Sequence, residues 1–230
     1  MAKKKATAPT QVEANVGEIF SRSERFIEKY KNHIIYGVIA VILFVVAILG
    51  VRQYYFLPKE KEAQEAIYPG ETYLERQQWE LALNGNGADY IGFIGVIEDY
   101  GFTKTAKLAK AYAGICYYHL NQPEEALGYL KDFNINDDIV SPVIKGLIGD
   151  CYVDLGNISE GIKYFNKAAT ELDNDMVSPI YLKKAGIAYE NISDFASALK
   201  TYQAIKDKYP LSQEAAEMDK FIERAKMQGK

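Results

Sequence analysis

The sequence predicts an all-α protein: an N-terminal single transmembrane helix followed by an α-solenoid of helical hairpins. Residues 34–51, IIYGVIAVILFVVAILGV, are eighteen uncharged and mostly aliphatic residues in a row. VSPVIKGLIGDCY at 140–152 returns as VSPIYLKKAGIAY at 177–189, and a fixed internal period marks a repeat architecture. Each copy is interrupted at the same point, by Leu155-Gly156-Asn157 and by Ile192-Ser193-Asp194, so each divides into two helices.

Residues 1–33 form a basic tail. MAKKKATAPTQVEAN is small and polar and reads as unstructured. Val16, Ile19, Phe20, Ser23, Phe26, Ile27 and Tyr30 then keep the three-four spacing of an amphipathic helix. Among Arg22, Arg25, Lys29 and Lys31, that helix either serves the inner leaflet or a partner, or simply extends the membrane helix. The span is assigned to 34–56. At about 1.5 Å per residue its apolar run nearly crosses a hydrocarbon core of about 30 Å. Tyr36, Tyr54, Tyr55 and Phe56 suit the interfacial belt. A cleaved signal peptide fits poorly, because thirty-three residues precede the run and no small-x-small site follows it. Lys3, Lys4, Lys5, Arg22, Arg25, Lys29 and Lys31 lie before the span, and only Arg52, Lys59 and Lys61 close after it. That asymmetry predicts a cytoplasmic N-terminus and a C-terminal domain across the membrane.

Charge divides the same way. Residues 1–33 hold seven basic and four acidic side chains, net +3; the remaining twenty basic and twenty-seven acidic leave −7. An acidic domain of this kind argues against a nucleic-acid partner, which requires a basic face.

Residues 57–103 predict a divergent first helical pair, with Pro69-Gly70 as a kink or break. Asn84-Gly85-Asn86-Gly87 is a turn cluster, and 89–100 another helix. Residues 104–212 hold three repeats, at 107–140, 142–175 and 179–212. Ser141 and Ser178 are expected N-caps, with Pro142 and Pro179 in the first turn. Gly149 and Gly186, matched upstream by Gly114, mark where paired helices close up, with Tyr152, Tyr189 and Tyr117 three positions on. In the second helices Gly161 and Ala198 are followed one turn later by Phe165 and Tyr202. Gly149→Leu is therefore expected to be costly and Gly149→Ala to be tolerated. Residues 213–230 predict a capping helix started by Ser212, since a solenoid's last repeat needs a cover.

Cys116 and Cys151 occupy equivalent rungs. Neighbouring helices lie about 8–10 Å apart and a disulfide needs about 7 Å, so two buried thiols are expected. His33 and His119 have no metal-spaced partner. Asp137-Asp138, Asp173 and Asp175 read as solvated turn carboxylates. No phosphate loop or catalytic constellation is present, which predicts a non-enzyme without cofactor, metal or small-molecule substrate.

Small, aromatic, small, aromatic, proline over about 34 residues resembles the tetratricopeptide repeat. Lys110, Lys145 and Leu182 depart from that family's large first-helix residue. The resemblance implies a protein-binding groove lined by Leu108, Tyr112 and His119, by Gly146, Asp150 and Asp154, and by Lys183, Ile187 and Glu190. Ala111, Ile115 and Asp150 replace the basic or amide residues with which some members clamp a partner's C-terminal carboxylate. The segment TKTAKLAKAYAGICYY at 103–118, within this layout, is similar to the YfgM family of ancillary Sec translocon subunits. That resemblance implies a scaffold in the bacterial inner membrane, its repeat domain periplasmic. It would stand beside SecYEG with a PpiD-like chaperone and assist exported proteins. The same layout would also serve a structural adaptor in cell division or outer-membrane biogenesis.

Overall fold

The computed structural model describes residues 11–133 and 140–229, with side-chain surroundings from Glu28 onward. The amphipathic stripe before Glu28, and Asp137-Asp138, lie outside the described residues. Every regular element described is helical, in two compact units, Met1–Pro58 and Lys59–Lys230.

The first unit is α1 (Gln11–Val51) and a π-helical turn, Arg52–Phe56. Its most apolar eighteen-residue window has a mean hydropathy of 3.1, and none of it is buried within the protein. By length and composition α1 is sufficient to cross a membrane.

The second unit is a stack of helices, each packed on the next from its second helix onward. It opens with α2 (Leu57–Glu75), α3 (Trp79–Asn84) and α4 (Gly92–Tyr100). Three hairpins follow: α5 (Lys104–His119) with α6 (Pro123–Lys131), α7 (Val140–Asp154) with α8 (Ile158–Leu172), and α9 (Ser178–Asn191) with α10 (Phe195–Lys208). A 3₁₀ turn, Ala215–Glu217, leads into α11 (Met218–Gln228).

One turn joins the helices of every pair. Asn121, Gly156 and Ser193 have positive φ, and so does Gln77 after α2. Each donates its N–H to a carbonyl three residues back, and the next residue donates to one five back, as Gln122 does to Tyr117 at 2.9 Å. This is the Schellman arrangement, which satisfies carbonyls left open at a helix end. It recurs after α2, which therefore behaves as the first helix of another hairpin. The predicted break at Pro69-Gly70 does not occur there: α2 runs through Pro69 and ends at Glu75. Gly70 lies flush against Tyr90 and Phe93, and that packing favours continuation of the helix past the proline.

The glycine rungs lie where the repeats predict. A Cβ added at Gly114 would stand 2.5 Å from Leu130 Cγ, and one at Gly149 would stand 2.6 Å from Phe165 Cδ1 and Cε1. At Gly186 it would enter the Tyr202 ring. These gaps are too small for a methyl group, so the expectation that Gly149→Ala is tolerated is corrected. Phe165 is itself buried and has little room to retreat.

The serine caps are also corrected. Ser141 is inside α7 and donates to Glu171 at 2.8 Å. Ser178 makes no cap bond; its Oγ accepts from Asn174 N–H, while Asn174 Oδ1 accepts from Met176 and Val177 N–H. Ser212 caps as expected, accepting from Ala215 N–H at 3.2 Å, although the first element it serves is the 3₁₀ turn. Cys116 and Cys151 are buried free thiols, both pushed up to about 12 by burial.

Two of the three rungs where the sequence departs from the large first-helix residue hold an ion pair instead. Lys110 bonds Asp132 at 2.7 Å, and Lys145 bonds Glu171, each linking a first helix to the end of its second. Glu60 ties α2 to α5: it accepts from the N–H of Lys104 and Thr105 and from Thr105 Oγ1, at 2.8, 3.1 and 2.7 Å. A carboxylate at a helix N-terminus satisfies orphan donors and faces the positive end of the dipole.

Candidate functional site

The first helices of the repeats, α5, α7 and α9, carry the nine residues expected to line a groove, and most are already committed within the chain. Tyr112 donates to Glu71 at 3.1 Å and packs on Phe93, with ring centroids 5.2 Å apart. Burial, with Glu71 close by, raises its hydroxyl to about 12. His119 is exposed and stacks on Trp79, centroids 4.1 Å apart and planes 8° from parallel. Gly146 is covered by the Tyr181 ring. Leu108 is half-buried against the core of the first pair.

Three charged groove residues pair with a residue 34 positions away, one repeat along. Asp150 bonds Lys184, Lys183 bonds Glu217 and Glu190 bonds Arg224, all at 2.6 Å. Arg224 also donates through Nε to the other Glu190 oxygen, at 3.3 Å. Of the nine, Asp154 and Ile187 are left exposed without such a pairing.

The open surface of this row is apolar. Val143 and Ile180 follow the proline on the same rung of α7 and α9 and are 45% and 42% exposed; Ile187, two turns along α9, is 37% exposed. Spacing of seven keeps Ile180 and Ile187 on one helix face. Ile115 and Tyr118 of α5 and Leu147 of α7 are half-buried against the core between the first two hairpins. A small pocket of about 140 Å³ is bounded by Asp150, Val153, Phe165, Lys184, Ile187, Ala188 and Asn191. Val143 and Ile180 were absent from the expected groove. The paired VSPV and VSPI contain the signal, an aliphatic residue directly after each proline.

Asp150 is the groove carboxyl whose proton the fold holds more tightly, whereas Lys183 holds Glu217 below the usual carboxylate range. Burial raises the Asp150 pKa; Lys184 opposes the shift without cancelling it. The folded chain thus holds this proton more tightly than the unfolded chain. Its stabilising contribution is complete below the unfolded value of 3.8 and is lost as pH rises through the higher folded value. Asp150→Asn is expected to flatten this loss, and to cost little at neutral pH because Lys184 is partly solvated. From about pH 4 to about pH 7 the denaturant midpoint should rise more, or fall less, in the variant than in the parent, because lowered carboxyls such as Asp173 and Glu217 favour the folded chain as pH rises in both. An unchanged difference would remove Asp150 as the source.

Among the described residues no group of three His, Cys, Asp or Glu side chains is placed to hold a metal ion.

Comparison with family models matches residues 182–212 to the tetratricopeptide repeat. The match covers most of α9, all of α10 and the turn after it. Curated proteins give no match to the chain. A helical repeat domain with a tetratricopeptide repeat, preceded by a helix long enough to span a membrane, is a protein-interaction architecture.

Proposed function

We propose that this chain is a membrane-tethered, extracytoplasmic scaffold for protein–protein interaction. It carries no catalytic role. In this reading the N-terminus is cytoplasmic and the repeat domain lies in the periplasm, beside SecYEG and a PpiD-like chaperone, where it assists exported proteins. The observation that carries the reading is the exposed aliphatic row on successive first helices, Val143, Ile180 and Ile187. Each is more than a third exposed, and exposed apolar surface of this kind marks an interaction site. Tethering supports it further, since a membrane anchor raises the effective concentration toward partners in the same bilayer.

The test is photo-crosslinking from position 180 in intact cells, followed by mass spectrometry of the captured proteins. SecY, SecE, SecG or the PpiD-like chaperone are expected among them. Val143→Asp with Ile187→Asp should reduce their capture at least about fivefold, because a buried carboxylate opposes apolar docking by more than 1 kcal/mol. If none of these proteins is recovered, the translocon assignment fails. Recovery of division or outer-membrane assembly proteins would favour the envelope adaptor instead.

A further inference from the structure

A second surface lies on another side of α7. Leu130, Lys131 and Phe133 at the end of α6, Ser141, Ile144, Lys145 and Ile148 of α7, and Tyr164 and Lys167 of α8 enclose a pocket of about 530 Å³. That is within the range of about 300–1,000 Å³ typical of ligand sites. Its floor is aliphatic, with Leu130, Ile144 and Ile148 almost fully buried. Its rim is cationic.

The three rim lysines differ. Lys145 is neutralised by Glu171 and bonded to Ser141. Among the described residues, Lys131 and Lys167 form no ion pair. Each ammonium is held over a ring instead: Lys131 Nζ stands 4.7 Å from the Tyr152 centroid, and Lys167 Nζ 4.8 Å from that of Tyr164. The two rings are 5.5 Å apart. The acid on the same helix, Glu160, is bonded to Lys163 at 2.6 Å. A ring face positions an ammonium without cancelling its charge. Glu160 also attracts Lys131 and Lys167, but its carboxylate is shared with Lys163. Among the described residues two oriented cations, only partly offset, therefore border an apolar floor, in a part of the chain whose net charge is −7.

We propose that this pocket docks an acidic segment of a partner protein, with aliphatic side chains entering the floor and carboxylates meeting Lys131 and Lys167. Charge complementarity selects the occupant: a basic or purely apolar segment leaves both ammonium groups facing it unpaired. Val143, Ile180 and Ile187 do not border the pocket, so this site is independent of the apolar row and provides the scaffold with a second point of attachment.

The test uses the full chain in nanodiscs of neutral lipid and a fluorescein-labelled octapeptide of alternating glutamate and leucine, read by anisotropy. Binding is expected, weakening as salt is raised. Lys131→Glu with Lys167→Glu should weaken it at least about tenfold, as two attractions become repulsions. Both lysines are exposed, and an unchanged melting curve verifies that the variant is folded. The counterpart with lysine in place of glutamate should not bind. Val143→Asp with Ile180→Asp should leave peptide binding intact, which separates this site from the apolar row. The proposal is overturned if the lysine variant binds as well as the parent. It is equally overturned if vesicles containing phosphatidylglycerol bind and the acidic peptide does not.

Discussion

Gly149→Leu is expected to lower the melting temperature of the repeat domain by about 2–8 °C, read by the near-ultraviolet circular dichroism of its tyrosines in the detergent-solubilised chain. Gly149 faces Phe165, whose ring is 2% exposed, and Gly161 O would stand 3.2 Å from an added Cβ. A leucine there must force α7 from α8, and overpacking of a dense core costs about 1–3 kcal/mol or more. Helix propensity returns only about 1 kcal/mol of this. Gly149→Ala should fall between the parent and the leucine variant, since even one methyl group meets the ring 2.6 Å away. Gly128→Ala is the control: nothing lies within 4 Å of a Cβ at that helical glycine, so propensity alone should act and raise the melting temperature slightly. A Gly149→Leu variant that melts like the parent would show that the repeat register is wrong.

The second large effect belongs to the loop between α3 and α4. Gly85 and Gly92 have φ of +84° and +80°, and the two backbones touch. A Cβ at Gly92 would stand 2.5 Å from Asn84 C and from Gly85 N. Unlike a phenylalanine ring, a backbone has no rotamer with which to withdraw. Gly92→Ala therefore combines the left-handed penalty of about 1–2 kcal/mol with an overlap costing about 1–3 kcal/mol. The loss should begin locally, in the first helical pair. Trp79, the only tryptophan, lies at the start of α3 and stacks on His119. Its emission is expected to shift to the red at lower denaturant than the tyrosine signal changes. Gly87→Ala supplies the comparison: φ is +72° but nothing is within 4 Å, so only the conformational cost applies. Equal behaviour of the two variants would exclude the backbone contact as the cause.

Much of this architecture is written locally. The span is a continuous apolar run, which needs no partner to be recognised. In each hairpin the glycine and its large partner are sixteen residues apart: Gly114 and Leu130, Gly149 and Phe165, Gly186 and Tyr202. Rise and turn per residue are fixed for a helix, so a constant separation around a constant turn brings the same two positions together each time. The turns were equally legible, because Asn, Gly and Ser supply or tolerate a left-handed residue between two apolar helices.

What the period leaves open is the direction each rung faces. One residue along a helix rotates a side chain by about 100°, enough to move it from solvent to the neighbouring repeat. Lys183, Glu190 and Asp150 were placed on the correct helices, yet each is bonded to a residue one repeat away, Glu217, Arg224 and Lys184. Ser141 likewise lies in the first turn of its helix, but it does not cap it: its hydroxyl serves Glu171, thirty residues on. Helix formation and hairpin pairing follow from short-range pattern and were determined by the sequence alone. Which charges are neutralised, and hence that the open surface is the aliphatic row of Val143, Ile180 and Ile187 beside a separate lysine-rimmed pocket, depends on how successive hairpins stack. Only the tertiary structure decides that, because the partners of those charges are set by packing between repeats.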